Sequence, residues 1–290
     1  MKTCKSLLPA VLTLAFMITT TAAAAPTLTF KFTKVNVPGA LATGLGGINN
    51  SGVIVGEYED KKSVEHCFML KGGKVTTINY PKAASDSCIH INSAGAIVGD
   101  SKNSAGVTTG FVYQNGKFTN IPGPSGAKSS VAYGINDSGV IVGTYTDSKG
   151  ELHGFLLKGK TYKTLDPPGS ILTIATGINN AGNVVMFYGK SAAIESALYN
   201  GKTYKTINVP GAANSFAFDI NSGGDIVYET LNSSATKAQG VLYQAGKFYT
   251  FAYPKSADTS VTGINDKSEL VGYYQTKSIS GPDQGFTATY

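Results

Sequence analysis

Short apolar runs alternate with polar, glycine-rich turns along almost the whole chain, and the alternation itself repeats. An Ile-Asn pair marks each copy, and successive pairs lie 42 to 44 residues apart. Internal periods of this length are typical of solenoids and propellers. The six pairs are Ile48-Asn49, Ile91-Asn92, Ile135-Asn136, Ile178-Asn179, Ile220-Asn221 and Ile264-Asn265.

Each copy contains four predicted strands, which we label A to D and describe for the third copy. Strand A ends at Ile135, and the Asn-Asp-Ser-Gly sequence that follows is typical of a tight turn. Strand B is the β-branched run at residues 140–142, strand C covers residues 153–157, and strand D covers residues 162–166. Pro167 ends strand D because proline has no amide hydrogen for a sheet. Four short strands per copy match the size of a propeller blade.

The two ends of the repeated region complete one another. Residues 28–39 match strand D alone, and the last copy stops after a strand C at residues 285–288. The sequence therefore predicts an all-β fold, a six-bladed β-propeller of four-stranded blades, closed by pairing of the N-terminal strand (residues 30–35) with the C-terminal blade. An open solenoid is the alternative, but it would leave exposed strand edges that need capping.

Residues 1–25 have the features of a secretory signal peptide. Lys2 and Lys5 precede an apolar run at residues 7–18, and small residues follow up to residue 25. The apolar run is too short for a membrane anchor, which needs about 20 residues. We therefore expect a single propeller domain over residues 26–290, without a transmembrane segment, that is secreted, periplasmic or on the cell surface.

The repeat resembles a known bacterial extracellular repeat family, named HAF for its His-Ala-Phe motif. The matching stretches are GINNSGVIVGEY at residues 47–58, residues 134–155, and the NVPGA segments at residues 36–40 and 208–212. The middle residue of the motif varies here, as in His66-Cys67-Phe68 and His153-Gly154-Phe155. The resemblance implies exported, repetitive architecture but no particular activity.

Composition and charge exclude several classes of function. All 24 basic residues are lysine, against 18 acidic residues, so no arginine clamp on a phosphate can form. Without Lys2 and Lys5 the net charge is only about +4, with the lysines spread over the turns, and we expect no nucleic-acid partner. The sequence contains neither a Gly-x-Ser-x-Gly elbow nor a phosphate-binding loop, and we expect no cofactor.

Residues that recur in every copy are interpreted as scaffold. The asparagine of each Ile-Asn pair is expected to bond turn backbone groups. His66 and His153 belong to a polar position at the start of strand C, and we expect them to be structural hydrogen-bond donors. Because these histidines are not in adjacent blades and no calcium-type loop is present, we expect no metal site.

Positions where one copy departs from the others are the candidates for function. The residue before Ile-Asn is glycine in four copies but His90 in copy two and Asp219 in copy five, which lie opposite one another in a six-membered ring. If strand A is innermost, both side chains reach the central channel. Glu57 and Asp100 form a second candidate pair in neighbouring blades, where paired carboxylates could perform acid/base chemistry. Packing between blades, for the first pair, and exposed charge on the rim, for the second, are the alternatives.

The mature chain contains two cysteines, Cys67 and Cys88, and both replace small residues of the repeat in adjacent blades. An exported protein with two cysteines favours one disulfide. Two buried free thiols are the alternative, because strand C and the next strand A need not approach within about 7 Å.

These features favour a binding or scaffolding protein, which we expect to be a monomer and whose partner is an extracellular glycan or protein. The alternative is an extracellular polysaccharide hydrolase or lyase with its site at the mouth of the channel. Converging ionisable side chains in a deep cleft would favour the enzyme.

Overall fold

The computed structural model describes residues 28–191, 193–231, 237–276 and 281–290, and the regular structure in these ranges is entirely β-strand. The predicted signal peptide lies outside the described residues. In the described part of the chain, no helix has the length and apolar character needed to cross a bilayer.

Six antiparallel sheets of four strands each form the blades of a propeller. Blade one contains β2 (Ala42–Ile48), β3 (Ile54–Glu59), β4 (Glu65–Lys71) and β5 (Lys74–Ile78). Blade two contains β6 (Ser85–Ile91), β7 (Ile97–Lys102), β8 (Thr108–Gln114) and β9 (Lys117–Ile121). Blade three contains β10 (Ser129–Ile135), β11 (Ile141–Thr146), β12 (Leu152–Lys158) and β13 (Thr161–Leu165). Blade four contains β14 (Leu172–Ile178), β15 (Val184–Lys190), β16 (Ala193–Tyr199) and β17 (Tyr204–Thr206). Blade five contains β18 (Asn214–Ile220), β19 (Ile226–Leu231), β20 (Ala238–Gln244) and β21 (Lys247–Phe251). Blade six contains β22 (Asp258–Ile264), β23 (Leu270–Gln275), β24 (Gln284–Thr289) and, from the other end of the described chain, β1 (Lys31–Lys34).

The ring closes through pairing of the first and last strands. The antiparallel register of β1 on β24 runs from Lys31 opposite Thr289 to Lys34 opposite Phe286. Phe32 packs against Phe286, with ring centroids 5.5 Å apart, and so fills the core of the sixth blade. This confirms the predicted closure and leaves blade six with the same four strands as the others.

Strand A of each blade lies innermost and surrounds the central channel, because the A strands of all neighbouring blades contact one another. Strand C of one blade packs against strand A of the next, and the apolar side chains between them form the core. In four blades, a fully buried phenylalanine of strand C occupies this core: Phe68, Phe111, Phe155 and Phe286. Burial of these rings between blades is a major hydrophobic contribution to the fold.

The repeated asparagines bond in two directions. The Oδ1 atom of Asn136 accepts hydrogen bonds from the Ser138 and Val140 amides in its own turn, as the sequence predicts. Its Nδ2 donates to the Asn179 carbonyl of the next blade, at 3.2 Å. The same interblade bond joins all six asparagines in a closed ring: Asn49, Asn92, Asn136, Asn179, Asn221 and Asn265. These residues are therefore scaffold, and they also hold neighbouring blades together.

Cys67 and Cys88 form a disulfide between blades one and two, with their Cα atoms 5.1 Å apart. Both residues are buried. The approach is close because strand C packs directly on the next strand A, and the equivalent residues at the next interface, between blades two and three, are Gly110 and Ala132. The predicted disulfide is confirmed, and it replaces a contact between small residues.

Candidate functional site

A β-bulge in each strand A directs one extra residue toward the channel. In blade three, Ala132 pairs with Gly143 and Gly134 pairs with Val142, so Tyr133 between them has no partner in the ladder. The five other blades have the same irregularity. Bulges re-aim side chains and are common beside functional sites. The six bulge residues are Gly46, Ile89, Tyr133, Thr176, Phe218 and Thr262.

All six bulge residues line a cavity of about 170 Å³ within the ring, which we call the central cavity. Its remaining lining comes from Glu57, His90, Cys88, Tyr273, Leu45 and two glycines, Gly44 and Gly56. The lining thus combines three aromatic side chains with a carboxylate, an imidazole and two threonines. A concave site with apolar walls and a few convergent polar groups is the usual form of a small-molecule site.

His90 and Asp219 meet across the channel, and His90 of this pair lines the central cavity. The His90 Nε2 and Asp219 Oδ2 atoms are 3.4 Å apart, and the side chains are 14% and 2% exposed. Oδ1 of Asp219 accepts a bond from its neighbouring Ile220 amide, and Oδ2 accepts one from the Ile264 amide of the next blade. The opposed placement that the repeat predicts is therefore present, and the pair contacts directly.

The environment of His90 favours the protonated imidazole. Burial lowers the pKa of His90, but the Asp219 carboxylate, with a smaller contribution from Asp137, raises it by more, so the pKa lies above its usual value. The Nδ1 atom is buried and forms no hydrogen bond with the described residues. On its other side, His90 borders a smaller space of about 50 Å³ under the asparagine ring. His90 thus borders both compartments of the channel.

Glu57 and Asp100 are half-buried, so the alternative of exposed charge on the rim is wrong. Strand A of the next blade covers Glu57, and Ser87 of that strand donates a 2.8 Å hydrogen bond to Glu57 Oε2. Burial is the main cause that raises the pKa of Glu57, against the effect of the Ser87 bond. At this level, strand B faces strand A of the next blade. The sequence alone did not reveal that this neighbouring strand buries Glu57.

Asp100 lies within electrostatic reach of Glu57, although it is not among the residues that line the central cavity. Burial, followed by the negative charges of Glu57, Asp86 and Glu65, raises the pKa of Asp100 to about 7. Burial and then the charge of Asp100 raise the pKa of Tyr133 to about 12. The charge of one predicted carboxylate therefore affects the pKa of the other, and Glu57 is the one of the two that lines the cavity.

The irregular fourth copy contributes an aromatic group. Phe187 packs edge-on against Phe216 and Phe218 of the next blade, with ring centroids 5.3 and 6.2 Å away. Phe218 also lines the central cavity. Phe187 thus supports one aromatic wall of the cavity from behind, whereas its neighbour Met186 is part of the hydrophobic core.

The two other histidines lie on the outer part of the blades and form the expected hydrogen bonds. His66 Nε2 is 3.2 Å from Asp60, and His153 Nδ1 is 2.7 Å from Asp166. In addition, His153 lies close to Asp147 and Glu151, and one potential ligand atom from each of the three residues falls within 4.8 Å of the others. This trio could accommodate a metal ion, a grouping that the search for sequence motifs did not find.

The bulge residues are the functional candidates that sequence reasoning missed. Their column varies from glycine to tyrosine, whereas the next position of strand A is glycine in four of the six copies. That variation within a repeat is the signal that could have identified them. The bulge itself could not be anticipated, because no glycine or proline marks it in every copy.

The comparisons with known proteins support the fold. No family model matches the chain, and no curated protein sequence is similar to it. Among solved structures, the chain is similar to a catalytically inactive virginiamycin B lyase from Staphylococcus aureus in a complex with quinupristin (TM-score 0.53, 12% identity, 90% of this chain and 100% of that one). It is also similar to the Aleuria aurantia lectin with a fucose-containing disaccharide (TM-score 0.53, 12% identity, 85% and 96%).

A third similar structure is the β-propeller domain of the Trilobed protease from Pyrococcus furiosus (TM-score 0.50, 11% identity, 86% of this chain and 94% of that one), which is described as having an open velcro topology. The present chain differs from that description, because β1 and β24 close its ring. At these levels of identity the similarities establish the propeller architecture and nothing finer.

Proposed function

We propose that this chain is a carbohydrate-binding propeller that holds a single sugar residue in the central cavity. The observation that carries this proposal is the lining: the aromatic side chains of Tyr133, Phe218 and Tyr273 share the cavity wall with the polar groups of Glu57 and His90. Sugar rings have apolar C–H faces that stack on aromatic rings, and hydroxyl groups that bond carboxylates and imidazoles.

The volume of the cavity limits the size of the ligand. A protein cavity of about 150 Å³ accommodates one benzene molecule. The central cavity, at about 170 Å³, therefore matches one six-membered ring and is smaller than the pockets of about 300–1,000 Å³ that hold drug-sized molecules. We infer that the ligand is a terminal sugar or a free monosaccharide and that the rest of a glycan stays outside the channel.

The similarity to the Aleuria aurantia lectin supports the same conclusion, since that lectin of the same architecture was solved with a fucose-containing ligand. Fold alone does not assign activity, so the proposal depends on the cavity and the lectin adds only plausibility.

We also propose that the protein works outside the cytoplasm as a monomer and belongs to the HAF repeat family. The Cys67–Cys88 disulfide supports export, because structural disulfides persist in oxidising compartments. The presence of four strands in every blade supports the monomer, because closure of the ring leaves no blade short of a strand.

Calorimetry of the folded chain with a panel of monosaccharides, preceded by a glycan pull-down, tests the proposal. Tyr133→Thr should weaken binding at least about tenfold, because it removes an aromatic wall, and two other blades already carry threonine at this bulge. The matched control is Tyr145→Thr in the same blade, which alters a ring stacked on His153 outside the cavity and should leave affinity unchanged. Equal effects of the two substitutions, or no binding of any sugar, would refute the proposal.

A second candidate function, hydrolysis or elimination at a glycosidic bond, is favoured by one observation. Asp100, with a pKa raised to about 7, is close to Glu57, and a carboxyl group of this kind can exchange protons near neutral pH. Product analysis after incubation with bound glycans separates the two functions. Turnover that Asp100→Asn abolishes without loss of binding would establish the enzyme, whereas unchanged glycans would leave the binding protein.

A further inference from the structure

The charge around the central cavity is opposite to that of the whole chain. The chain carries 24 lysines and 18 acidic residues. Among the described residues that line the cavity, however, none is lysine, and the carboxylate is that of Glu57. His90 is the one lining group that can carry positive charge, and Asp219 lies against it. The uncompensated charge on the wall is therefore negative.

Further carboxyl groups surround this wall and add to its negative field. Neither Glu57 nor Asp100 forms an ion pair with a described residue. Burial, followed by the charges of Glu229, Asp283 and Glu57, raises the pKa of Tyr273 to about 12, against the effect of a hydrogen bond with Ser260. The titratable groups that act on the wall from the blades around it are Glu57, Glu65, Asp86, His90, Asp100, Tyr133, Glu229, Tyr273 and Asp283.

The aromatic side chains of the lining reinforce the same preference. The faces of Tyr133, Tyr273 and Phe218 are sites of negative electrostatic potential that attract a nearby cation. Carboxylates combined with aromatic rings form the usual environment for organic ammonium groups. A neutral sugar would use the rings and leave the carboxylate charge without a partner, and an acidic sugar would be repelled.

We propose that the sugar in the central cavity carries a free, protonated amino group, which binds between the Glu57 carboxylate and the faces of Tyr133 and Tyr273. The inference rests on the proposed carbohydrate-binding function and specifies its ligand class as amino sugars. The ammonium group supplies the positive charge that the wall lacks, and its N–H donors bond the free oxygen of Glu57, since Ser87 occupies the other.

Paired sugars that differ only in this group test the inference. Calorimetry at pH 7 compares glucosamine with glucose and N-acetylglucosamine, together with the corresponding galactose and mannose sets. In at least one set, the amino sugar should bind about tenfold or more tightly than its two neutral counterparts. Equal or tighter binding of the neutral sugars overturns the inference while leaving the carbohydrate-binding function intact.

Tetramethylammonium separates failure of the inference from failure of the proposed function, because its charge is permanent and it contains no sugar. It should bind to the folded chain and compete with any amino sugar that binds. If no sugar binds but tetramethylammonium does, the carbohydrate proposal fails and the preference for cations stands. If tetramethylammonium does not bind, the preference for cations is refuted.

Two isosteric variants locate the charge that matters. Glu57→Gln should reduce the affinity for tetramethylammonium at least about tenfold. The matched control is Glu229→Gln, which removes the carboxylate at the equivalent position of blade five, is likewise bonded by a serine of the next blade, and does not line the cavity. Its effect should stay within about threefold, and equal losses in both variants would contradict a specific contact with Glu57.

The pH dependence provides an independent measurement. Because the pKa of Asp100 is about 7, ionisation of this residue between pH 5.5 and pH 8 adds negative charge beside the wall, so binding of tetramethylammonium should strengthen over that range. Asp100→Asn should reduce the increase, and the part that remains comes from loss of the positive charge of His90, which also lines the cavity. A flat profile in the unmodified chain, or an unchanged rise in Asp100→Asn, would refute this part of the inference.

Discussion

The contact between His90 and Asp219 should couple the stabilities of blades two and five, and a double-mutant cycle measures that coupling. Asp219→Asn keeps an oxygen that can accept the Ile220 amide and removes the charge. His90→Gln removes the imidazole and keeps a polar side chain. The two single variants, the double variant and the unmodified chain complete the cycle.

The geometry sets the size of the effect. At 3.4 Å and an effective dielectric constant of about 20, the attraction between two unit charges is about 5 kcal/mol. Desolvation offsets much of this in a buried pair, because neither group retains its water shell. We therefore expect a coupling free energy of about 1–3 kcal/mol at a pH where His90 is protonated.

The sign of the pH dependence follows from the raised pKa of His90. A group whose pKa is higher in the folded state stabilises the protein below the unfolded-state value, which is about 6.5 for histidine. The stabilisation is lost as the pH rises through the folded-state pKa. The coupling free energy should therefore be large at pH 5.5 and fall at pH 9.

Urea unfolding of the four proteins at pH 5.5 and pH 9, followed by circular dichroism, measures the coupling. NMR titration of the His90 imidazole provides the pKa directly. A coupling that is equal at both pH values, or a His90 pKa below that of a model peptide, would refute the reasoning from this contact.

Three further predictions concern the scaffold. Deletion of residues 28–39 removes the strand that closes blade six and should lower the stability by about 5 kcal/mol, which is more than 10 °C in the melting temperature; an unchanged melting temperature would contradict closure. The Cys67→Gly, Cys88→Ala variant, which has the residues of the next interface, should lose about 3 kcal/mol in urea unfolding, given the separation of 21 residues between the cysteines, and the mature chain of residues 26–290, which lacks Cys4, should take up no alkylating group without reductant. Asn136→Ala breaks three hydrogen bonds and should cost about 2–3 kcal/mol, whereas Asn50→Ser, an exchange that two other blades already contain, should change stability by less than about 0.5 kcal/mol.

Repetition made most of the fold predictable. The spacing of the Ile-Asn pairs gives the number of blades, and the partial copies at the two ends give the closure that β1 and β24 form. The same counting places His90 opposite Asp219. The disulfide follows because Cys67 and Cys88 replace small residues at matching positions of adjacent copies. Each of these conclusions needs only the sequence position of a residue within its repeat.

Features that depend on the space between blades could not be predicted in this way. The asparagine ring requires the distance from each turn to the next blade, and the repeat pattern within one copy contains no such information. The burial of Glu57 beneath Ser87 of the next inner strand has the same origin. The bulge that directs Tyr133 into the channel depends on a local loss of register, which residue periodicity does not encode.

The repeated positions have different structural roles, and this explains why the residue type at the bulge differs among the six copies. The ring of asparagines and the apolar contacts between strands C and A hold neighbouring blades together, and both are satisfied without the bulge residues. The bulge residues differ in their own contacts, however, because Thr176 and Thr262 donate hydrogen bonds to carbonyl groups of the next inner strand, and a side chain at Gly46 would meet backbone atoms of the next blade. Tyr133, which lines the cavity, can therefore change to threonine with little effect on the ring, and its substitution should alter binding while leaving stability nearly constant. In a repeat protein of this kind, some positions vary among the copies although their neighbours keep the scaffold regular. A ligand site can arise at such a position with the smallest loss of stability.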